Sequence, residues 1–299
     1  MAYLILTLAA IFWGGNYVVG HFLVESADPI ILSEARWAIT AILLMSLYWH
    51  QIKVNRIKIK HSFWVILFLA IFGQVLFPLT LYIGLQYTSS LNAAIYMSAT
   101  PCMVLLINKL IFKDNITRNN VIGVLLSLMG VIYLILEGKV TNIEAFQAMN
   151  GGDLWTMGSA LSWAFYCSFL RLKDKTIPGN AFVAVSSSIG AVILIPVIII
   201  YMMNASVAFN FNGYFNIRFI LGLMYLVIFP SWLAYVFWNR GIQEIGATRG
   251  EVYTHIIPLS GGLLAIIFQN VQLEWFHVIS ALFIATGIYL CSKQARHGR

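Results

Sequence analysis

Ten long apolar stretches alternate with short polar connections along the chain, at about residues 3–23, 29–49, 63–85, 91–112, 119–136, 152–171, 180–203, 218–241, 247–269 and 275–292. A hydrocarbon core about 30 Å thick is crossed by about 20 apolar residues in a helix rising 1.5 Å per residue. Each stretch therefore has the length of one membrane-spanning helix. A barrel strand would be about ten residues long and would alternate in polarity, whereas these runs are apolar on every side. The pattern predicts an all-α polytopic membrane protein with ten transmembrane helices, because a helix satisfies its own backbone groups in lipid.

Composition agrees. Of the 299 residues, 60% are apolar and only 10% charged, with a mean hydropathy of +0.84, against about 25% charged in soluble domains. The net charge of +7 does not read as nucleic-acid binding, because the basic residues are scattered in short loops and form no basic face or aromatic-basic groove. Membrane topology accounts for them. With the N-terminus inside, Lys53, Arg56, Lys58, Lys60, Lys109, Lys113, Arg118, Arg171, Lys173, Lys175, Arg240, Arg249 and the tail residues Lys293, Arg296 and Arg299 all fall on the cytoplasmic side. That is 15 of 18, leaving Arg36, Lys139 and Arg218 toward the outside. The positive-inside rule then puts both termini in the cytoplasm of a multi-pass protein of the cytoplasmic (inner) membrane. The first apolar run has neither a basic leader nor a cleavage site and is expected to be retained. Cys102, Cys167 and Cys291 lie in separate runs without metal or disulfide spacing. They read as packing residues, and no cofactor or metal is expected.

An internal repeat is visible. Pairing Pro101 with Pro258, 157 positions apart, also aligns Gly84 with Gly241, Gln86 with Gln243, Tyr96 with Tyr253, Val121 with Val278, Leu125 with Leu282 and Gly130 with Gly287. Nearer the starts, an offset of 150 pairs Ala10 with Ala160 and Trp13 with Trp163. Five spans per half make the second copy enter from the opposite side. The expected organisation is two inverted-topology five-helix repeats, 1–145 and 146–299, with a binding site near the midplane where they meet.

The segment Trp13-Gly14-Gly15-Asn16-Tyr17-Val18 resembles the first-span signature of the EamA family of the drug/metabolite transporter superfamily. So do Arg36, the stretch Leu85-Gln86-Tyr87-Thr88-Ser89-Ser90, Ala93-Ala94, Pro101, Asp114, Thr117, Gly123 and Gly130 in the first half. In the second half the resemblance lies in Trp163-Ala164-Phe165-Tyr166, Trp238-Asn239-Arg240-Gly241, Gly246-Ala247-Thr248-Arg249 and Pro258. It implies a ten-helix carrier, often an exporter of amino acids or related metabolites. Departures fall at His21, where lysine is frequent, at Val271 in place of the acidic residue matching Asp114, at Ser186 opposite Arg36, and at Glu251, usually a small residue.

Ionisable groups inside a membrane cost about 2.5–3.5 kcal/mol on insertion scales and are suspected of function. Glu251 and His255, four apart, are expected on one helix face, close enough to share a proton and couple transport to it; the alternative is that Glu251 pairs with Arg249 or Arg240. Arg36 lies roughly 10 Å deep and suits a substrate carboxylate, or else makes an internal structural pair, for which Glu34 is awkwardly spaced. Asn16, Gln74, Tyr82, Tyr96, Trp163, Tyr166, Tyr235, Trp238 and Asn239 are the further candidates for substrate binding, with Ser231 and Tyr253. Gln74, Pro78 and Tyr82 make a stripe that the 157 offset carries to Ser231, Tyr235 and Asn239. For each residue alone, interhelical hydrogen bonding is an equally available role. Pro101 and Pro258 are the candidate hinges.

The expected partners are a small-molecule substrate, the lipid bilayer and protons; the expected state is a monomer or weak homodimer. The leading function is export of amino-acid-like metabolites by alternating access. The alternative is exchange or uptake of a larger solute such as a nucleotide derivative, against which a single deep arginine argues. No HExxH or GxSxG motif suggests an enzyme.

Overall fold

The computed structural model describes residues 1–24, 27–87, 96–139, 151–204, 216–269 and 272–292. The boundary expected at 145/146, Thr88–Ser90, Ala93, Ala94, Val271 and the tail residues Lys293, Arg296 and Arg299 lie outside the described residues. In chain order the helices are α1 (Ala2–Val24), α2 (Pro29–Val54), α3 (Arg56–His61), α4 (Phe63–Ala70), α5 (Phe77–Leu85), α6 (Thr100–Leu110), α7 (Arg118–Ile135) and α8 (Gly151–Phe169). They continue with α9 (Gly179–Asn204), α10 (Ile217–Leu226), α11 (Ala234–Ile245), α12 (Ala247–Gly250), α13 (Ile256–Gln269) and α14 (Trp275–Ser292). No strand occurs among the described residues.

Among the described residues, seven helical segments are long and apolar enough to cross a membrane: Ala2–Gly20, Pro29–Val54, Phe63–Gly84, Arg118–Ile135, Gly179–Met203, Ile217–Ile245 and Trp275–Ser292. The other three apolar runs are helical but differ from a simple span. α8 has 19 residues yet carries Asp153, Thr156, Ser159, Ser162 and Ser168, all buried, so its polar side chains turn into protein rather than lipid. The run expected at 91–112 is described as helix only from Tyr96 and is broken by a turn at Ala99 before α6. The last run is divided by a tight 3₁₀ segment, Glu251–His255, ahead of α13.

Local chemistry sets several ends. Asp28 caps α2, its Oδ1 accepting from Ile30 N at 2.8 Å with Pro29 beginning the helix, the position where a missing N–H costs nothing. Thr117 and Asn120 cap α7 reciprocally. Gly246, with φ of 82°, makes the reversal between α11 and α12 that a side chain would oppose.

Two π-helical turns interrupt the spans, Ile71–Leu76 and Val227–Leu233. They occupy matching places at the 157 offset; Pro78 follows the first by two residues and Pro230 lies within the second. A proline supplies no N–H, so carbonyls there are released from the helix. Other helices supply four of the five donors, and Ser231 bonds back within its own span. Tyr235 OH donates to Gly73 O at 2.6 Å, Ser162 Oγ to Phe72 O at 2.8 Å and Ser159 Oγ to Phe77 O at 2.7 Å. Trp13 Nε1 donates to Pro230 O at 3.0 Å, and Ser231 Oγ to Leu226 O at 2.7 Å.

The packing partners are α2 with α9, α7 with α14, α1 with α11 and α13, and α8 with α5 and α6. α7 and α14 cross at glycines. A Cβ on Gly123 would lie 2.6 Å from Gly287 O and from Cys291 N, and one on Gly287 would lie 2.5 Å from Gly123 O. Lacking side chains, the two backbones come together as small residues allow in membranes.

Several polar connections meet at one end. Arg171 Nη2 and Asp114 Oδ2 are 2.6 Å apart, and the guanidinium lies 4.2 Å above the Phe112 ring. Asn108 Nδ2 donates to Thr248 Oγ1 at 2.9 Å, joining α6 to α12. Lys173 is buried, its Nζ donating to Asp174 O at 3.1 Å and Ile177 O at 2.9 Å. At the α2 N-terminus, Tyr201 OH donates to Asp28 Oδ2 at 2.6 Å.

Candidate functional site

A cavity of about 170 Å³ lies between the first and second halves of the chain. Its apolar wall is Trp13, Gly14, Phe77, Met97, Trp163, Ile257, Pro258 and Gly261. Its polar groups are Asn16, Arg36, Ser98, Thr100 and Thr254. Trp13 is midway along α1. A cavity of about 150 Å³ is enough for a benzene-sized solute, so this one suits a single small metabolite.

Below the wall the aromatic residues pack into one cluster. Trp13 stands edge-on to Trp163 at 5.1 Å, to Trp238 at 5.0 Å and to Tyr235 at 5.9 Å between ring centroids. Trp163 stacks on Tyr166 at 5.0 Å and meets Phe77 at 4.8 Å. Edge-to-face pairs at such distances are favourable beyond the area they bury, which makes this a firm floor.

Arg36, 2% exposed, is the charged group on the cavity. Its Nε donates to Ser231 Oγ, and its Nη1 to Asn16 Oδ1 and Tyr82 OH, both at 3.1 Å. Among the described residues no carboxylate pairs with it, so Glu34 is not its partner. Hydrogen bonds to a charged group contribute about 1.5–3 kcal/mol each. Three of them offset a burial cost of about 2.5–3.5 kcal/mol while leaving the charge itself unneutralised.

Glu251 and His255 do not pair. In a 3₁₀ segment successive residues turn by about 120°, so positions four apart face different directions, unlike those of an α-helix. Glu251 is fully buried and its Oε1 accepts from Trp163 Nε1 at 3.1 Å, while Oε2 has no hydrogen-bond partner among the described residues. Nor does it pair with Arg240, which bridges Glu244 at 3.0 Å, or with Arg249. His255 turns the other way, with Nδ1 2.6 Å from Ser127 Oγ and Nε2 2.9 Å from Ser98 O. A carbonyl only accepts, so Nε2 donates to Ser98 O; Ser127 Oγ also lies 3.1 Å from Val124 O, and its single proton serves either that carbonyl or Nδ1.

The remaining candidates are spread around this centre. Asn16, Arg36 and Trp163 line the cavity, and Tyr82 touches Arg36. Tyr166 OH donates to Asn239 Oδ1 at 2.6 Å, and Trp238 Nε1 to Cys167 Sγ at 3.3 Å, both in the aromatic cluster's far side. Tyr235 spends its hydroxyl on Gly73 O. The Gln74 side-chain amide lies 3.1 Å from Ser186 Oγ, between helices and away from the cavity. Tyr96 is half-buried outside the lining, and Tyr253 OH is 3.4 Å from Ser292 Oγ. Pro258 is on the cavity wall. Pro101 leaves Met97 O without its helical N–H, and Thr100 Oγ1 donates to that carbonyl at 2.6 Å.

Ser98, Thr100 and Thr254 were missed as lining residues. Their hydroxyls resemble ordinary helix back-bonding groups in sequence; closeness to Pro101 and Pro258 was the available signal. Ser186 was noticed only as the mismatch to Arg36. The signal available for its contact was the register, since Gln74 and Ser231 are 157 apart and Arg36 and Ser186 are 150 apart, and the contacts formed are Gln74–Ser186 and Ser231–Arg36.

The profile of the EamA-like transporter family matches residues 1–136 and 150–293. Similar proteins include the uncharacterized transporter YyaM of Bacillus subtilis (strain 168), 26% identical, with 98% of this chain and 94% of that protein covered. An uncharacterized transporter of Archaeoglobus fulgidus is also 26% identical, covering 98% and 97%. The uncharacterized inner membrane transporter YicL of Salmonella typhimurium is 23% identical, covering 97% and 94%. A solved crystal structure superposes with a TM-score of 0.74 over 97% of this chain and 96% of that one; at 16% identity the likeness is one of fold. With nearly all of its length matched in two stretches, this chain, a multi-pass membrane protein, belongs to the EamA-like transporter family.

Proposed function

We propose that the protein is a secondary carrier that exports small polar metabolites, amino acids or related compounds, across the cytoplasmic membrane by alternating access. The observation that carries this reading is Arg36, a buried guanidinium on a small central cavity with three neutral partners and no carboxylate among the described residues. A substrate carboxylate supplies the missing anion, and a planar fork is suited to receive it. The ring faces and hydroxyls of the other walls accommodate the rest of the solute.

The ten-span, inverted two-half organisation is part of the proposal. Its support is the pair of π turns at matching positions, the exchanged contacts Gln74–Ser186 and Ser231–Arg36, and the packing of α1 on α11 and α13 as α8 packs on α5 and α6. Pro101 and Pro258 then border the irregular segments beside the cavity, where hinges between two arrangements are expected. The basic connections that meet through Asp114–Arg171 support a cytoplasmic placement of that end. Proton coupling is assigned to Glu251; His255, with both nitrogens engaged, serves the fold. The small cavity argues against nucleotide derivatives.

The test is efflux from proteoliposomes loaded with a panel of labelled L-amino acids and their 2-oxo acids, with and without an imposed pH gradient. Flux of one or more is expected. Arg36→Ala should lower the apparent affinity for carboxylate substrates about tenfold or more, a loss of about 1.4 kcal/mol. No flux of any compound under any gradient, with folded protein in the vesicles, overturns the reading.

A further inference from the structure

The feature that the carrier reading leaves unexplained is how a carboxylate outside the cavity lining is connected to the substrate. Glu251 is fully buried, yet one indole separates it from the cavity. Trp163 forms part of the cavity wall, and its Nε1 is the donor to Glu251 Oε1 at 3.1 Å. We propose that Trp163 is the coupling element of the carrier: substrate pressing on the ring moves its N–H relative to Glu251, and the proton occupancy of Glu251 follows. The proposal rests on the carrier reading above and adds the residue that links the two events.

Two features of the geometry carry it. First, an indole N–H only donates, and its bond to an ionised carboxylate is charge-assisted and stronger than its bond to the carbonyl oxygen of a neutral acid, so the contact favours the ionised form of Glu251. Second, Oε2 receives no N–H or O–H among the described residues, and the other donor beside the carboxyl, the Cys167 thiol, is a weak one, so Trp163 is the stronger of the two. The ring is also held unevenly. Tyr166 stacks on it and Trp13, Tyr235 and Phe77 brace it, whereas the cavity leaves it open to a solute.

Few other groups are placed to answer for Glu251. From α8 the Cys167 thiol lies beside it, itself receiving Trp238 Nε1. On its own segment, His255 is turned to Ser127 of α7 and to Ser98, and Tyr253 stacks with Tyr3 of α1 at 6.0 Å. Arg249, two residues before Glu251, makes no ion pair with the carboxylate. α6 offers Asn108, which is neutral and bound to Thr248. Thus no charged side chain among the described residues neutralises Glu251.

The experiment compares wild type, Trp163→Phe and Glu251→Gln in detergent, using as probes the L-amino acids and 2-oxo acids of the flux panel. Ligand affinity is measured across pH, and infrared difference spectra on ligand addition report the carboxyl band that Glu251→Gln removes. In wild type, affinity should change by up to about tenfold per pH unit where one proton is linked, with a ligand-induced change in the Glu251 band. Trp163→Phe keeps a ring in the wall but loses the N–H; because the ring faces the solute its affinity is expected to change, and the readout is the pH dependence of the affinity that remains, which should fall below about twofold overall. Retained pH dependence in Trp163→Phe, lost in Glu251→Gln, overturns the role of Trp163 and leaves the proton site standing. Retained dependence in Glu251→Gln overturns both. If Trp163→Phe does not fold, the wild-type spectrum decides, since a Glu251 band untouched by a ligand that binds is incompatible with coupling. No binding of any probe to wild type removes the carrier reading and this inference with it.

Discussion

His255 Nε2 meets the carbonyl oxygen of Ser98 at 2.9 Å, and the two residues are 157 positions apart, each the other's counterpart in the repeat register. Counterparts in two halves related by a two-fold axis can touch only beside that axis. Under the inverted-repeat reading, this contact therefore lies beside the axis that relates the two halves. The imidazole bridges Ser98 to Ser127, and replacing it with alanine removes both of these contacts together with a buried ring. His255→Ala is expected to destabilise the fold by about 1–3 kcal/mol while the pH profile of transport keeps its shape. Thermal melts in detergent and flux at several pH values check this; a flattened pH profile in a fully stable variant would return His255 to the proton pathway.

Tyr235 is expected to act through backbone chemistry rather than through substrate. Its hydroxyl donates to Gly73 O, in the π turn that precedes Pro78, from a fully buried position. Tyr235→Phe preserves the ring packing against Trp13, Trp37 and Trp163 and deletes only the donor. A loss of about 1–3 kcal/mol in stability should follow, with substrate affinity changed less than about twofold. A large affinity loss at unchanged stability would instead place the hydroxyl on the substrate.

The elements that could be read from sequence are those set by length and periodic chemistry. Of the ten apolar runs expected from length, seven are helices long and apolar enough to span among the described residues, and Gln74, Tyr82, Ser231, Tyr235 and Asn239 of the two polar stripes are buried, although outside the cavity lining. Arg36 was recognisable because a guanidinium inside an apolar run has few alternatives. What spacing could not reveal was local helix geometry. The four-residue interval of Glu251 and His255 predicts a shared face only in an α-helix, and the 3₁₀ segment that separates them depends on tertiary contacts to Trp163, Ser98 and Ser127. The π turns were equally hidden, since Pro78 and Pro230 signal a lost hydrogen bond without saying which neighbour replaces it. α8 illustrates a third limit. Its serines and Asp153 lower its hydropathy, although each is turned inward.

Gly123 and Gly287 give a prediction about packing alone. The obstruction to a Cβ at either position is backbone of the opposite helix, at 2.5–2.6 Å, and a backbone cannot rotate aside as a side chain can. Gly123→Ala should therefore cost at the upper end of about 1–3 kcal/mol for overpacking, and Gly123→Leu should abolish monodisperse protein. Size-exclusion profiles of the purified variants test it. An unchanged profile for Gly123→Leu would mean that α7 and α14 do not cross at these glycines.

Lys173 lies outside the spanning segments and gives a pH dependence whose sign can be worked out. Burial pushes its ammonium down from its usual 10.5 to about 8, only partly offset by Asp174. Below pH 8 the lysine is charged in both the folded and unfolded chains, and the folded state carries the full cost of burying that charge. Between about 8 and 10.5 the unfolded chain binds more protons than the folded one, so the contribution of Lys173 to stability rises with pH across this window. The side chain keeps its carbonyl partners, Asp174 O and Ile177 O, because a neutral amine still donates. Other groups titrate in the same range, so the informative quantity is the difference in unfolding free energy between wild type and Lys173→Met, measured from pH 7 to 10.5. Wild type should gain on the variant as pH passes 8 and level off near 10.5. Parallel curves would show that the ammonium is solvated in the folded protein, and a falling difference would show that an unrecognised anion holds it.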